Sequence, residues 1–172
     1  LLRTEPVTVP PSTPARSVEA RNTDLERFIP IDGNGVYNAT QLLRRWPAEG
    51  PAERWRITVG QGKSAVVEAE GRAFTAALGN KQQWAVCLEA ASGKTLWRKL
   101  LAGEEAQAIE IIASPVVDGD RVYFVPARKA QEEGLTVVCL NARDGSEIWR
   151  GQDELEHAAS CPTPLIVGNL LY

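Results

Sequence analysis

The chain has 172 residues, 44% hydrophobic and 24% charged, the balance of a soluble globular protein. A formal net charge of −3 provides no basic field for nucleic acid or an anionic membrane surface. No apolar run reaches the roughly 18 residues of a transmembrane helix.

Taken in chain order, the first segment begins Leu1-Leu2-Arg3 rather than with Met, which suits a processed chain or a fragment, Leu1-Leu2 being compatible with the tail of a removed signal or anchor. Residues 1–27 place Pro6, Pro10, Pro11 and Pro14 among Thr, Ser, Glu and Arg, without apolar periodicity. That composition predicts an extended, partly polyproline tether. Residues 28–52 form a lead-in with a turn cluster, Asp32-Gly33-Asn34-Gly35. A short helix of one or two turns is expected over Asn38–Trp46, stopped by Pro47. Asp32 and Asn34 are calcium-type oxygen ligands, but Leu43 stands where an EF-hand loop needs its last Glu, so that motif is excluded.

From residue 53 the chain repeats. Cys87-Leu88-Glu89-Ala90-Ala91-Ser92-Gly93-Lys94-Thr95-Leu96-Trp97-Arg98 returns as Cys139-Leu140-Asn141-Ala142-Arg143-Asp144-Gly145-Ser146-Glu147-Ile148-Trp149-Arg150, an offset of 52 residues. Pro115-Val116-Val117-Asp118-Gly119-Asp120-Arg121-Val122-Tyr123 returns at an offset of 49 as Pro164 through Tyr172. Ala65–Phe74 is a weaker earlier copy with one extra residue before its turn. Each unit reads as four short strands. Those of the first are expected near Ser64–Glu68, Arg72–Ala77, Gln83–Glu89 and Thr95–Lys99, with a loop over Ala77–Gln82. Those of the second are expected at Ala113–Val117, Arg121–Val125, Leu135–Asn141 and Ser146–Arg150. Asp118-Gly119-Asp120 is a hairpin turn, and Gly145 supplies the positive φ of the turn into the fourth strand. The third unit contributes only Thr163–Val167 and Asn169–Tyr172.

Four strands every 50 or so residues is the spacing of a propeller blade. The predicted fold is therefore all-β, a β-propeller of four-stranded antiparallel blades, with about two and a half blades present. The full blades cover about 62–99 and 113–150, and a third begins at 163–172, within a partial propeller spanning 53–172. Such a blade has two apolar faces and cannot bury them alone, so a neighbour must pack on each. Leu165, Ile166, Leu170 and Leu171 are the residues expected to be left uncovered on the third unit. Arg54–Thr58 reads as the outer strand of a closing blade whose inner strands come from further polypeptide.

Residues capable of chemistry are few. Cys87, Cys139 and Cys161 contain no C-x-x-C pair and read as buried small hydrophobes. His157 follows Asp153-Glu154-Leu155-Glu156, yet no nucleophile turn accompanies it, and it reads as an interblade surface loop. Gly60-Gln61-Gly62-Lys63-Ser64 lacks phosphate-loop spacing and reads as a linker. Arg128–Gly134 reads as a solvated loop able to contact a partner.

The stretch Leu88-Glu89-Ala90-Ala91-Ser92-Gly93-Lys94-Thr95-Leu96-Trp97 and its second copy resemble the tryptophan-docking repeat of pyrroloquinoline-quinone (PQQ) type propellers, Leu-Asp-Ala-x-Thr-Gly-x-x-x-Trp. Asp32–Val36, Trp46-Pro47 and Trp55 look like the lead-in of PQQ-like repeat proteins related to the assembly factor BamB. The resemblance implies that Trp97 and Trp149 are structural, each lying against a glycine-containing turn of a neighbouring blade, with Gly93 and Gly145 as the blade-docking glycines. It nominates no catalytic, cofactor-binding or metal residue here. Quinoprotein dehydrogenases of the family use adjacent cysteines, a stacking Trp, calcium and an Asp base, and no Cys-Cys pair occurs. The leading expectation is a non-catalytic, extracytoplasmic scaffold that binds polypeptide, by strand addition or through the central funnel. The alternatives are a fragment of a PQQ- and calcium-dependent alcohol or sugar dehydrogenase, and a tethered surface or sensor propeller. The expected partner is another polypeptide or the remainder of the ring.

Overall fold

A computed structural model describes residues 7–8, 47–103, 113–127, 135–153, 163–167 and 170–171. The short helix expected over 38–46, Asp32 and Asn34, Arg128–Gly134, His157 and Cys161 lie outside the described residues. Two complete antiparallel sheets form. The first orders β2 (Val67–Ala69), β3 (Arg72–Gly79), β4 (Gln82–Glu89) and β5 (Thr95–Ala102). The second orders β6 (Val116–Asp118), β7 (Arg121–Phe124), β8 (Leu135–Asn141) and β9 (Glu147–Asp153). The third unit pairs β10 (Ile166–Val167) with β11 (Leu170–Leu171). A third strand joins it from far away in sequence: β1 (Val7–Thr8) pairs antiparallel with β11. A piece of the predicted tether is thus a strand, flanked by Pro6 and Pro10. Proline cannot donate to a ladder and suits the ends of an edge strand.

The hairpins follow from local backbone chemistry. Glu70 and Gly71 (φ +50° and +73°) close β2 onto β3, and Asn80 and Lys81 (φ +52° and +61°) close β3 onto β4. Positive φ at both central residues is the geometry that matches strand twist. The Ala77–Gln82 loop expected from sequence is therefore a two-residue turn, its flanks absorbed into the strands. The extra residue inferred before the first turn is not extra: Ala69 pairs with Arg72 as Asp118 pairs with Arg121.

Inner strands begin later than expected, at Val67 and Val116. Pro115 has no N–H for a ladder, and the backbone N–H groups of Ala65 and Ser114 point to the next blade instead. Outer strands run on past Lys99 and Arg150 to Ala102 and Asp153. Both outer strands share a bulge, between the pairs Cys87–Trp97 and Leu88–Thr95 and between Cys139–Trp149 and Leu140–Glu147, and β5 carries a second one between Gln83–Ala102 and Trp84–Leu100. At the shared bulge the extra residues, Leu96 and Ile148, are exposed, and the tryptophans turn toward the sheet.

The main core lies between the two blades. Phe74, Ala76, Cys87 and Trp97 of the first pack with Val117, Val122, Phe124, Val138 and Leu140 of the second. The opposite face of the first blade (Ala73, Val86, Leu88) is covered by Trp55 and Val59. The opposite face of the second (Tyr123, Val125, Val137, Cys139) meets Trp149 and Ile166. Of the residues expected to be uncovered on the third unit, Leu165 is 51% exposed, whereas Ile166 is drawn partly into this cluster.

Candidate functional site

The turn after β4 runs Glu89 to Lys94, and the turn after β8 runs Asn141 to Ser146. In both, the carbonyl of the first residue accepts the glycine N–H, at 2.8 Å for Gly93 and 2.9 Å for Gly145. Ser92 accepts from the Lys94 N–H as Asp144 accepts from the Ser146 N–H, so the two turn sequences reach one geometry by different side chains. Both glycines hold φ near +73°, where an L side chain is strained.

An aromatic ring lies over each glycine. A Cβ on Gly145 would sit 2.7 Å from the ring of Trp97, and a Cβ on Gly93 would sit 2.6 Å from the ring of Trp55. The indole N–H of Trp97 donates to the Ala142 carbonyl at 3.2 Å, and that of Trp55 donates to the Ala90 carbonyl at 3.0 Å. Trp97 and Gly145 are therefore brought together across a blade interface. Gly93 instead receives Trp55, which sequence reasoning placed on an outer-strand segment without assigning it a glycine. Trp149 meets no glycine turn of a neighbouring blade among the described residues; its ring lies by Gly151 of its own strand, where a Cβ would sit 3.2 Å from it. Its ring stands edge-on to Tyr123 with centroids 6.1 Å apart, as Trp97 stands beside Phe74 at 6.0 Å. Its buried Nε1 has no acceptor among the described residues.

Four further links join the blades and the third unit and were missed in the sequence. The Ala65 N–H donates to Ser114 Oγ at 3.2 Å, and the Ser114 N–H donates to Thr163 Oγ1 at 3.4 Å, each across 49 residues. Gln83, fully buried, donates to the Ala127 carbonyl and accepts its N–H, both at 2.7 Å. Arg150 donates to the Leu101 carbonyl at 2.9 Å while paired with Glu147. The 49-residue hydroxyl spacing was visible in principle; nothing marks Gln83, whose partner is a backbone group 44 residues away.

The chain also forms a groove of about 210 Å³ between the 55–64 segment and the first blade, lined by Trp55, Ile57, Val59, Val66, Thr75 and Ala77 among others. It is mainly apolar and holds no titratable side chain. The thiols of Cys87 and Cys139 are buried in separate blades, and burial pushes them up to about 12 and about 11. Neither supplies a nucleophile at neutral pH. Among the described residues no three Asp, Glu, His or Cys side chains converge to hold a cation. Trp55 and Trp97 are laid against turns, and the two thiols stand in separate blades.

The family model described as outer membrane protein assembly factor BamB, a PQQ-type repeat family, matches residues 39–172. The chain belongs to this PQQ-type, BamB-like repeat family. Among solved structures it is similar to a europium-containing methanol dehydrogenase at 20% identity and a TM-score of 0.52, covering 59% of this chain and 19% of that one. It also matches a quinohemoprotein alcohol dehydrogenase from Pseudomonas putida at 19% identity and a TM-score of 0.44, covering 51% of this chain and 12% of that one. The chain thus spans less than a fifth of the length of these structures, and the first likeness establishes the propeller fold. No match was found among curated protein sequences.

Proposed function

We propose that this chain is part of a non-catalytic, extracytoplasmic PQQ-like propeller that serves as a scaffold and binds extended polypeptide by strand addition. One observation carries the reading. The third unit takes Val7–Thr8, from the opposite end of the chain, as an added strand on β11. A sheet edge that accepts a remote extended segment has the chemistry for peptide recognition, in which main-chain hydrogen bonds supply affinity. The family description, an outer membrane assembly factor, supports an envelope location and a role among other proteins.

In this reading Gly93, Trp97 and Gly145 dock blades, with Trp55 as a further docking ring, and Trp149 docks whatever completes the third unit. The aromatic residues are then spent on packing rather than on a cofactor. The likeness to a methanol dehydrogenase raises the alternative of a quinone-dependent dehydrogenase fragment. Titrating the purified chain with PQQ, with and without calcium, decides between them. The scaffold reading expects no saturable change in quinone absorbance and no dye reduction when an alcohol is added. Saturable micromolar binding with alcohol-dependent dye reduction would overturn it.

A further inference from the structure

Arginine follows each of Trp55, Trp97 and Trp149. Two of these arginines have a glutamate three residues before them and pair with it, Arg56 with Glu53 and Arg150 with Glu147. At Arg98 that place is held by Thr95. A hydroxyl carries no charge to offset a guanidinium, and Arg98 lies instead over the ring of Trp84, 4.9 Å from its centroid. Among the described residues no carboxylate pairs with exposed Arg98. β5 itself has no acidic residue. Lys99, on the opposite face of the strand, lies in electrostatic reach of Glu147.

The surroundings of Arg98 suit an incoming strand. β5 is the edge of its sheet and pairs only with β4. An edge strand presents backbone N–H and C=O groups that a further strand can use. Its two bulges leave Trp97–Leu100 as a regular stretch between them, and the Leu101 carbonyl is already taken by Arg150 of the second blade. The open edge is therefore short, sized for an extended segment rather than another sheet. Arg98 pairs with Val86 and Leu100 with Trp84, so Arg98, Leu100 and Trp84 share one face. Leu100 is exposed and Trp84 half-buried. This edge thus joins a cation to an apolar patch two residues along. The second blade does not repeat it: Thr136 and Gln152 hold the register places of Trp84 and Leu100, and Arg150 is on its glutamate. A second copy of β5 is a poor occupant, since antiparallel pairing would crowd Arg98 and Lys99 of one copy on those of the other.

From this we infer that the outer edge of the first blade, at Arg98, Leu100 and Trp84, docks an extended segment of a partner polypeptide bearing a carboxylate and, two residues away, an apolar side chain. The segment adds to β5 as a strand. Its carboxylate takes the place beside Arg98 that Glu53 and Glu147 fill beside Arg56 and Arg150, and its apolar side chain covers Leu100 and Trp84. The inference rests on the polypeptide-binding reading above and names its site and its ligand class.

The test uses the 172-residue chain and two fluorescein-labelled peptides, Thr-Val-Glu-Thr-Leu-Thr-Ser and the same peptide with Gln for Glu. By anisotropy the Glu peptide is expected to bind saturably, and more weakly as salt rises. It is expected to slow amide exchange within 95–102. The Gln peptide is expected to bind about three- to fivefold more weakly, the worth of an exposed ion pair. Two surface substitutions in the chain follow the same logic. Arg98→Gln should bring the Glu peptide down to the affinity of the Gln peptide. Thr95→Glu gives Arg98 the glutamate of the other two sites and should weaken the Glu peptide likewise, with no loss of thermal midpoint. Equal affinity of the two peptides for the unaltered chain, unchanged affinity in either variant, or the absence of saturable binding overturns the inference. Saturable binding with protection away from 95–102 also overturns it while leaving polypeptide binding intact. Quinone-dependent dye reduction, by contrast, defeats the scaffold reading itself.

Discussion

At the scale of single residues, Trp97 joins the two blades by lying over Gly145 and donating to the Ala142 carbonyl. A buried indole removes roughly 150–250 Å² from water, a gross gain on the order of 4–6 kcal/mol at about 25 cal/mol per Å². Trp97 is 9% exposed and keeps its N–H bonded, so little of that gain is lost to an unpaired donor. Trp97→Ala is expected to cost about 3–5 kcal/mol in urea unfolding. Gly145→Ala, a change of one methyl, is expected to cost about 1–3 kcal/mol, because φ is +72° and the Cβ would stand 2.7 Å from the ring. A loss below about 1 kcal/mol for Trp97→Ala would contradict the interface role.

The buried thiols give a second residue-scale expectation. Cys87 and Cys139 titrate at about 12 and about 11 when folded, against 9.0 for an unperturbed thiol, because burial disfavours the thiolate. Below pH 9 both states hold the protons and the full stability is present. Between pH 9 and about 11 the unfolded chain releases them first, so stability falls by up to about 1.4 kcal/mol per pH unit per thiol. Tyr123, raised to about 12 chiefly by burial, adds to the loss above pH 10. Urea midpoints measured from pH 8 to 11 in a Cys161→Ser background should drop steeply. Adding Cys87→Ala and Cys139→Ala should flatten the drop.

Legibility at this scale followed the repeat. Trp97 and Gly145 recur at a fixed offset, and the need for a side-chain-free position beneath a ring ties them together. Trp55 was harder to assign, since it stands 42 residues before Trp97 rather than 52, with no preceding copy of the strand. Gln83 left no trace, because it bonds a backbone group whose identity no side chain encodes.

At the scale of elements, turn chemistry separates what was readable from what was not. Gly119 and Gly145 announced their turns. The β3–β4 hairpin did not announce itself, because Asn80-Lys81 carries no glycine although both residues hold positive φ. Asn tolerates that region, whereas Lys does so at a cost of about 1–2 kcal/mol. Lys81→Gly is therefore expected to stabilise the chain by roughly 0.5–1 kcal/mol, the relief of strain exceeding the added freedom of the unfolded chain. An unchanged or lowered thermal midpoint would show that the turn is not held in this geometry. The pairing of Val7–Thr8 with Leu170–Leu171 was likewise invisible, since the three residues between Pro6 and Pro10 carry no strand period.

At the scale of the whole molecule, the chain is two blades locked together and a third unit completed only in part. The lock is the shared core with Trp97 on Gly145, the Gln83–Ala127 pair and the Ser114 hydroxyl. The third unit has two short strands of its own and one borrowed strand, and beside it Trp149 of β9 has no acceptor for its Nε1 among the described residues. Such a molecule should open in two stages. Native-state hydrogen exchange of the 172-residue chain tests this most directly. Amides of β3, β4, β7 and β8 are expected to exchange through one shared opening, and those of β10 and β11 at least a hundredfold faster, a gap of about 2.7 kcal/mol. Protection of β10 and β11 equal to that of β7 and β8, with no other polypeptide present, would contradict it.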